Sequence, residues 1–132
     1  MSKIHPTDRK YSRDHEWALT HEDGTVTLGI TDHAQEQLTD IVFVELPEIG
    51  KRVRRGEAFA VVESVKSVSD VFAPLSGEVI EVNRALEDRP ELINQDAHGE
   101  GWIAKLRMDD SAELDLLLDA SAYEAFVQEE AH

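Results

Sequence analysis

Lys66 is the residue with the clearest opportunity for covalent chemistry, because its surroundings predict an exposed amine. It lies in the run Val61-Val-Glu-Ser-Val-Lys-Ser-Val-Ser-Asp70, where an apolar stretch gives way to small and polar residues before apolar residues resume at Val71. Such a pattern is typical of two strands joined by a hairpin, with the lysine at its tip. Gly56, ten residues before the lysine, and Gly77, eleven after it, are predicted to hold the turns that orient this hairpin.

The residues beside the lysine support a modification site. Glu63 and Ser67 are close enough for a modifying enzyme to read them, and Asp70 lies a little further along. A surface lysine on its own is usually only a solvated group. The prediction that Lys66 is acylated therefore depends on the hairpin context and on these neighbours.

Other kinds of chemistry find little support. The six histidines show neither the His-Glu-x-x-His motif nor paired helical spacing, so the sequence predicts no metal site. Gly99-x-Gly101 lacks the third glycine of a dinucleotide fingerprint, and the Gly-x-Ser-x-Gly motif is missing. Because there is no cysteine, no thiol nucleophile is available and a reducing compartment is expected. We expect a protein that is not an enzyme; a hydrolase using two carboxylates is the alternative.

The charge of the chain bears on its partners and its compartment. A formal net charge of −15 repels phosphate backbones and anionic lipid, so neither nucleic acid nor membrane is expected as a partner. Residues 108–132 carry eight acidic side chains and no Lys or Arg, which predicts a solvated helical face or a docking surface for a basic partner. Residues 1–13 contain no apolar run resembling a signal peptide, so a cytoplasmic protein is expected.

Periodicity and turn residues predict one mostly β domain over residues 1–132, a sandwich or barrel closed by C-terminal helices. Thr31 and Asp32 are predicted to cap a helix through Leu38, and Pro90 to start a helical turn before Asn94. Two capping boxes are predicted, Asp110 to Glu113 and Ser121 to Glu124. The basic run 51–55 is predicted to be a solvated turn. The predicted strands are Trp17 to Thr20, Thr25 to Ile30, Ile41 to Leu46, Ala58 to Glu63, Val68 to Phe72, Glu78 to Val82 and Trp102 to Arg107.

The lysine motif resembles the attachment site of lipoyl and biotinyl carrier domains, and the flanking segments resemble the glycine cleavage H-protein family in particular. The resemblance covers about residues 10–127 and implies a barrel-sandwich hybrid fold with short helices and a C-terminal helical segment. Ser67 and Val68 depart from it, because the family often has alanines there. The matching segments are Asp14-His-Glu-Trp17, Gly29-Ile-Thr-Asp-His-Ala-Gln35, Asp40-Ile-Val-Phe-Val-Glu-Leu-Pro47, Gly56-Glu-Ala-Phe-Ala-Val-Val-Glu-Ser-Val-Lys66, Ala73-Pro-Leu-Ser-Gly-Glu-Val-Ile-Glu-Val-Asn83, Pro90-Glu-Leu-Ile-Asn94 and Gly99-Glu-Gly-Trp102.

The resemblance implies a carrier with lipoate attached covalently to Lys66. Such a carrier would take the aminomethyl group of glycine from a pyridoxal-phosphate (PLP) glycine decarboxylase to an aminomethyltransferase that uses tetrahydrofolate. It would then present the dihydrolipoyl group to dihydrolipoamide dehydrogenase, and lipoylating enzymes would be further partners. The alternatives are a lipoyl or octanoyl relay donor, a lipoyl domain of another multienzyme complex, and a biotinyl carrier.

The loaded arm would be cationic and would need acceptors to shield it from water. By resemblance to the family, Glu16 and Asp70 are the candidates for this arm pocket, with Asp14 and His33 as further candidates. For each carboxylate alone, a solvated surface role is the plainer expectation.

Overall fold

The computed structural model describes residues 5–130, which form two antiparallel sheets with short helices between the strands. The larger sheet contains six strands in the order β1-β2-β3-β9-β8-β5, and the smaller one contains three in the order β4-β6-β7. The prediction of a mostly β fold with a C-terminal helical segment is confirmed. The strands are β1 Lys10–Tyr11, β2 Glu16–Thr20, β3 Thr25–Ile30, β4 Ile41–Glu45, β5 Arg52–Val53, β6 Ala58–Ser64, β7 Val68–Phe72, β8 Gly77–Val82 and β9 Ala104–Met108.

The strands form where apolar and polar residues alternate, and the chain turns between strands where glycine permits it. The turn between β2 and β3 contains Gly24 at φ +84°, a conformation that a side chain disfavours. The Asp23 carboxylate accepts hydrogen bonds from the Thr25 amide at 3.1 Å and from the Thr25 hydroxyl at 2.6 Å. The predicted hairpin between these two strands is therefore present.

The core lies between the two sheets and has a smaller annex. The main core is apolar and includes Val26, Leu28, Val62 and Leu106, all fully buried. The annex contains Tyr11, Trp17 and Tyr123, and the two tyrosine rings stack with centroids 4.7 Å apart. The annex attaches the C-terminal helix to the larger sheet.

The helices lie close to their predicted positions, but their capping contacts differ in part from those predicted. They are α1 Asp32–Leu38, α2 Ala85–Asp88, α3 Leu92–Gln95, a 3-10 helix Ser111–Leu116 and α4 Ala120–Glu130. The Thr31 side chain accepts from the Ala34 amide, as expected of the N-cap of α1. No helix of the described residues is long and apolar enough to cross a membrane.

Both C-terminal capping boxes were predicted incorrectly in detail. Asp110 caps the 3-10 helix, but Glu113 does not return to the cap, because its carboxylate accepts from the amide and hydroxyl of Ser76. The last helix begins at Ala120 rather than after Ser121, since Asp119 accepts from the Ala122 amide at 2.8 Å. In the first case Ser76 supplies donors that engage the Glu113 carboxylate, and in the second case Asp119 supplies the acceptor in place of Ser121.

The structure also corrects the predicted roles of Gly77 and of the basic run. Gly77 holds no turn: it begins β8, and a Cβ atom there would lie 2.3 Å from the Arg107 carbonyl oxygen of β9. The glycine is required by close approach of backbones rather than by a turn. Within residues 51–55, Arg52 and Val53 form β5 and pair with β8, while Gly56 has φ +88° as a turn glycine.

Candidate functional site

Lys66 lies at the tip of the hairpin that joins β6 to β7. The two strands pair from Ala58 with Phe72 up to Glu63 with Val68. A hydrogen bond of 2.8 Å from the Ser64 amide to the Ser67 carbonyl closes the turn. Residues 64–67 form the tip, and Lys66 is exposed there. Glu63 is half-buried and Ser67 is exposed beside the lysine. The ammonium thus leaves the fold at a position that another protein can reach.

The Ser64 hydroxyl fixes the backbone of Lys66 and of the residue that follows it. Ser64 is buried, and its oxygen accepts from the Lys66 amide at 3.3 Å and from the Ser67 amide at 3.1 Å. These bonds order the backbone of the tip while the lysine side chain remains free. This role of Ser64 was not predicted from the sequence, although a serine just before turn residues is a known local hydrogen-bonding pattern.

A second brace reaches the tip from the segment between α1 and β4. The Val65 amide donates to the Asp40 carbonyl at 3.0 Å. Asp40 is held on both sides by Asn94, whose Oδ1 accepts from the Ile41 amide at 2.9 Å and whose Nδ2 donates to the Thr39 carbonyl at 2.8 Å. Thr39 itself has φ +65°, which is uncommon for a β-branched residue. Asn94 therefore stabilises a strained segment that positions the lysine hairpin.

An apolar rim surrounds the tip, and we define it as Val42, Phe43, Val65 and Val68. Their side chains are between 50% and 67% exposed, and they are four of the six large hydrophobic residues that are exposed among residues 5–130. Phe43 pairs with Glu63 across β4 and β6, and Glu63 pairs with Val68 across β6 and β7. The exposed apolar surface is thus concentrated around the lysine.

Glu16 is a buried carboxyl group that connects the two sheets. Its side chain is 2% exposed. One oxygen lies 2.6 Å from the Ser12 hydroxyl, and the other accepts from the Phe72 amide at 3.0 Å. Phe72 belongs to β7, one of the two edge strands of the smaller sheet, so Glu16 satisfies an edge amide from across the fold. Ser12 belongs to no sequence motif from which this contact could be predicted.

Burial dominates the electrostatics of Glu16. Removal from water raises its pKa to about 8, against the hydrogen bonds from Ser12 and Phe72, which lower it. The negative charge of Asp14 raises the pKa slightly further. In this structure the Glu16 carboxyl group is therefore mostly protonated at neutral pH. A cation brought beside it would lower that pKa and release the proton.

Glu16 and Asp14 line the same cavity. This cavity has a volume of about 210 Å³ and is also lined by Ser12, Arg55 and Gly56, among others. Asp14 is exposed, so its carboxylate faces solvent at the mouth. Two of the four residues predicted for the arm pocket therefore lie together.

The other two predicted arm-pocket residues lie elsewhere. Asp70 is exposed on β7, two residues before Phe72 and on the same side of the strand, since side chains two apart share a face. It therefore lies between Lys66 and the strand position that contacts Glu16. The structure places His33 on α1 against the His15 ring, with centroids 4.7 Å apart, and His33 does not line the cavity of Glu16.

Comparison with known proteins agrees with this arrangement. A family model described as "Glycine cleavage H-protein" matches residues 9–130. The glycine cleavage system H proteins of Shewanella sp. (strain ANA-3) and Shewanella oneidensis are each 58% identical over 130 residues, which is 98% of this chain and 100% of theirs. The crystal structure of a glycine cleavage system H protein from Mycobacterium marinum matches with a TM-score of 0.83 and 41% identity, covering 96% of this chain and 99% of that one.

These matches extend over almost the whole chain and include the lysine hairpin, both sheets and α4. They confirm the predicted carrier function and the prediction that the protein is not a catalyst. The chain belongs to the glycine cleavage H-protein family, the lipoyl carriers of the glycine cleavage system.

Proposed function

We propose that this chain carries lipoate on Lys66 as a single domain over residues 1–132, and that it serves the enzymes of a glycine cleavage system in turn. The observation that carries the proposal is the braced hairpin. Its backbone is fixed by Ser64 and Asp40, while its lysine side chain is exposed. A rigid base with a free side chain suits a swinging attachment, because it costs little entropy to present the arm at each active site.

The residues at the tip fit an acylated lysine. An amide at the end of the lysine side chain would remove its charge, and the exposed apolar rim of Val42, Phe43, Val65 and Val68 offers surface to an apolar arm. When bound, the lipoyl group supplies a disulfide that can be reduced and can accept the one-carbon unit. The chain itself contains no cysteine that could compete for this exchange.

The partners in this proposal are glycine decarboxylase with PLP, aminomethyltransferase with tetrahydrofolate, dihydrolipoamide dehydrogenase and the lipoylating enzymes. Each must approach the same lysine, so each would contact the apolar rim and the flanking Glu63 and Ser67. The net charge of −15 favours partners with basic surfaces, because opposite charges speed association. Attachment of the substrate to a carrier also raises its effective concentration at each site. We place the cycle in the cytoplasm.

We assign the retention of the cationic loaded arm to Glu16. Asp70 and Asp14 would attract the arm on its way to Glu16, and His33 is not assigned to the arm pocket. Glu16 is the only one of the three carboxyl groups that is buried. A buried carboxylate opposite an amine forms a stronger, charge-assisted hydrogen bond than an exposed one. Asp14 lines the same cavity as Glu16, and Asp70 lies on β7, two residues before the Phe72 amide that donates to Glu16.

Reconstitution with the three enzymes tests the carrier function. The lipoylated chain, glycine, tetrahydrofolate and NAD⁺ should give NADH, followed by absorbance, and the chain without the enzymes should give none. Lys66→Arg should abolish the signal, because a guanidinium stays protonated and cannot be acylated like an amine. Lys51→Arg, at another exposed lysine, is the matched control and should retain full activity. NADH production by Lys66→Arg at the wild-type rate would contradict the proposal.

The arm pocket has its own test. After loading and isolation, the Glu16→Gln and Asp70→Asn proteins should lose the one-carbon unit faster than the wild type, while their lipoylation and reoxidation stay near normal. Glu22→Gln, an exposed carboxylate in the turn after β2, is the control. Unchanged loss from both variants would remove Glu16 and Asp70 from the pocket and leave the assignment of Lys66 intact.

A further inference from the structure

Three potential metal ligands from distant parts of the sequence meet beside α4. His15 Nε2 lies 2.9 Å from Glu130 Oε1, and the His15 and His33 rings are 4.7 Å apart. One ligand atom of each of the three residues lies within 4.8 Å of the other two. We propose that His15, His33 and Glu130 bind a divalent transition-metal ion, with Zn²⁺ as the best match.

The donor set selects the class of ion. Two imidazoles and one carboxylate suit Zn²⁺ and its neighbours in the first transition row, whereas Ca²⁺ and Mg²⁺ prefer oxygen ligands alone. In a tetrahedral Zn²⁺ site the ligand atoms lie about 3.4 Å apart, given bond lengths near 2.1 Å. Closing the site requires movements of about 1 to 1.5 Å, on the same geometry. The Glu130 side chain, 42% exposed at the end of α4, has the freedom to provide them.

His33 supplies the independent observation. Its Nε2 atom is buried and has no hydrogen-bond partner within residues 5–130. Buried polar atoms in native proteins are nearly always paired, and a bound ion is one of the explanations for an exception. The same residue, His33, offers a ligand atom to the group that it forms with His15 and Glu130. A metal bond would satisfy the unpaired nitrogen.

The residues behind His15 form an outer shell of hydrogen bonds. Its Nδ1 lies 2.7 Å from the Tyr123 hydroxyl, which is 2.8 Å from the Thr31 hydroxyl oxygen. With metal on Nε2, the proton of His15 must sit on Nδ1 and donate to Tyr123, whose hydroxyl then donates to Thr31. Metal ligands of the histidine type are usually oriented by such a second bond. Without metal, Nε2–H donates to Glu130, so binding moves the proton across the ring.

The electrostatics favour a ring that is ready to ligate. Burial lowers the pKa of His15, and the positive charge of His33 would lower it further, against the nearby Glu130 and Asp14, which raise it. The neutral imidazole is the form that binds metal.

This site goes beyond the carrier function and does not depend on it. It lies on α1, α4 and the residue before β2, whereas the lysine hairpin is formed by β6 and β7. A metal there would fasten the end of α4 to the body of the protein. The sequence predicted no metal site, because that expectation rested on ligand spacing along the chain, and the fold brings together residues that no spacing rule connects.

Calorimetric titration of the tag-free, EDTA-treated full chain with ZnCl₂ tests the site. We expect one ion per chain, a higher melting temperature, and at least tenfold weaker binding in Glu130→Gln and in His33→Asn. Glu129→Gln, an exposed neighbour on α4, and His21→Asn, a histidine outside the site, are the matched controls and should bind as the wild type does. Because Glu130 is exposed at a helix end, its variant should fold normally, and circular dichroism checks this.

Several outcomes would overturn the proposal. One is the absence of saturable binding of one ion in the wild type. Another is wild-type affinity in Glu130→Gln and His33→Asn. Loss of binding in His132→Asn, a residue outside the described part of the chain, would move the ligands to the tail. Finally, nitrogen NMR of His15 should show the proton on Nδ1 after Zn²⁺ is added, and a proton retained on Nε2 would exclude His15 as a ligand.

Discussion

The variant Glu16→Gln isolates the free-energy cost of a buried carboxyl group. In the wild type, burial raises the pKa of Glu16 from its ordinary 4.5 to about 8. Glutamine has nearly the same shape, and its oxygen can accept from the Phe72 amide as the carboxylate does. The NH₂ of its side-chain amide faces the Ser12 hydroxyl, and any free-energy cost of that contact does not depend on pH. The comparison of the two proteins across pH therefore reports the ionisation of Glu16.

The sign of the effect follows from proton binding in the two states. Below pH 4.5 the carboxyl group is protonated in both the folded and the unfolded chain, and ionisation costs nothing. Between pH 4.5 and about 8 the unfolded chain loses this proton while the folded protein keeps it. Stability then falls as pH rises, by about 1.4 kcal/mol per pH unit. From pH 5 to pH 8 the wild type should lose about 3 to 4 kcal/mol relative to Glu16→Gln, because the folded carboxyl group begins to ionise as the pH approaches its pKa.

Urea unfolding at several pH values measures this difference. Urea is uncharged, and the fluorescence of Trp17 and Trp102 can follow the transition. Groups such as the histidines titrate in both proteins, so their contributions cancel in the comparison. Glu22→Gln, at an exposed turn, should follow the wild-type curve. A loss of about 3 to 4 kcal/mol is a large part of the roughly 5 to 15 kcal/mol typical of a domain.

Two results would refute this reasoning. Parallel stability curves for the wild type and Glu16→Gln would mean that burial does not shift the pKa of Glu16. A wild type that gains stability over the variant as pH rises would mean that Ser12 and Phe72 stabilise the ionised form more than burial penalises it. Either result would also weaken the assignment of Glu16 as the residue that ionises when a cation arrives.

Three further substitutions test the parts that position the site. Ser64→Ala removes the acceptor of two amides at the tip and should cost about 1 kcal/mol and slow lipoylation, with Ser69→Ala as control, measured by urea unfolding and ligase rate. Asn94→Ala removes the brace of the neighbouring segment and should cost about 1 to 3 kcal/mol, with faster amide exchange at the tip; unchanged exchange would contradict it. Gly77→Ala forces its Cβ against the Arg107 carbonyl and should lower the melting temperature by several degrees without changing the lipoylation of the protein that remains folded.

The parts of the fold that could be predicted are those that local sequence determines. β3 and β7 have their predicted bounds, and the other five predicted strands lie within about two residues of theirs, because apolar alternation and turn residues mark strands directly. The helix after Thr31 has the position that was predicted, because its cap lies next to it in the chain. Lys66 at a hairpin tip follows from the same kind of local signal.

The parts that could not be predicted depend on distant partners. β1 and β5 are two residues long and exist only because β2 and β8 pair with them. Asp119 rather than Ser121 caps α4, although both residue types can do so, and only the fold decides between them. The close approach at Gly77 is likewise visible only when β9 lies beside it.

The same limit applies to the site. Ser64, Asn94 and Ser12 act through backbone amides or through a buried carboxyl group far along the chain, and none of them belongs to a motif. His33 was grouped with Glu16 by resemblance, whereas the structure places it against His15. Long-range side-chain contacts of this kind become visible only in the three-dimensional structure.

Peptide mapping of the chain after treatment with lipoate, ATP and a lipoate ligase tests the central claim most directly. Five lysines are present, at positions 3, 10, 51, 66 and 105, so the assignment can be made for each. The lipoyl mass should appear only on the peptide that contains Lys66, should be absent from Lys66→Ala, and should remain in Lys51→Arg. Lipoylation of Lys66→Ala, or a lipoyl mass on any other lysine of the wild type, would contradict the account.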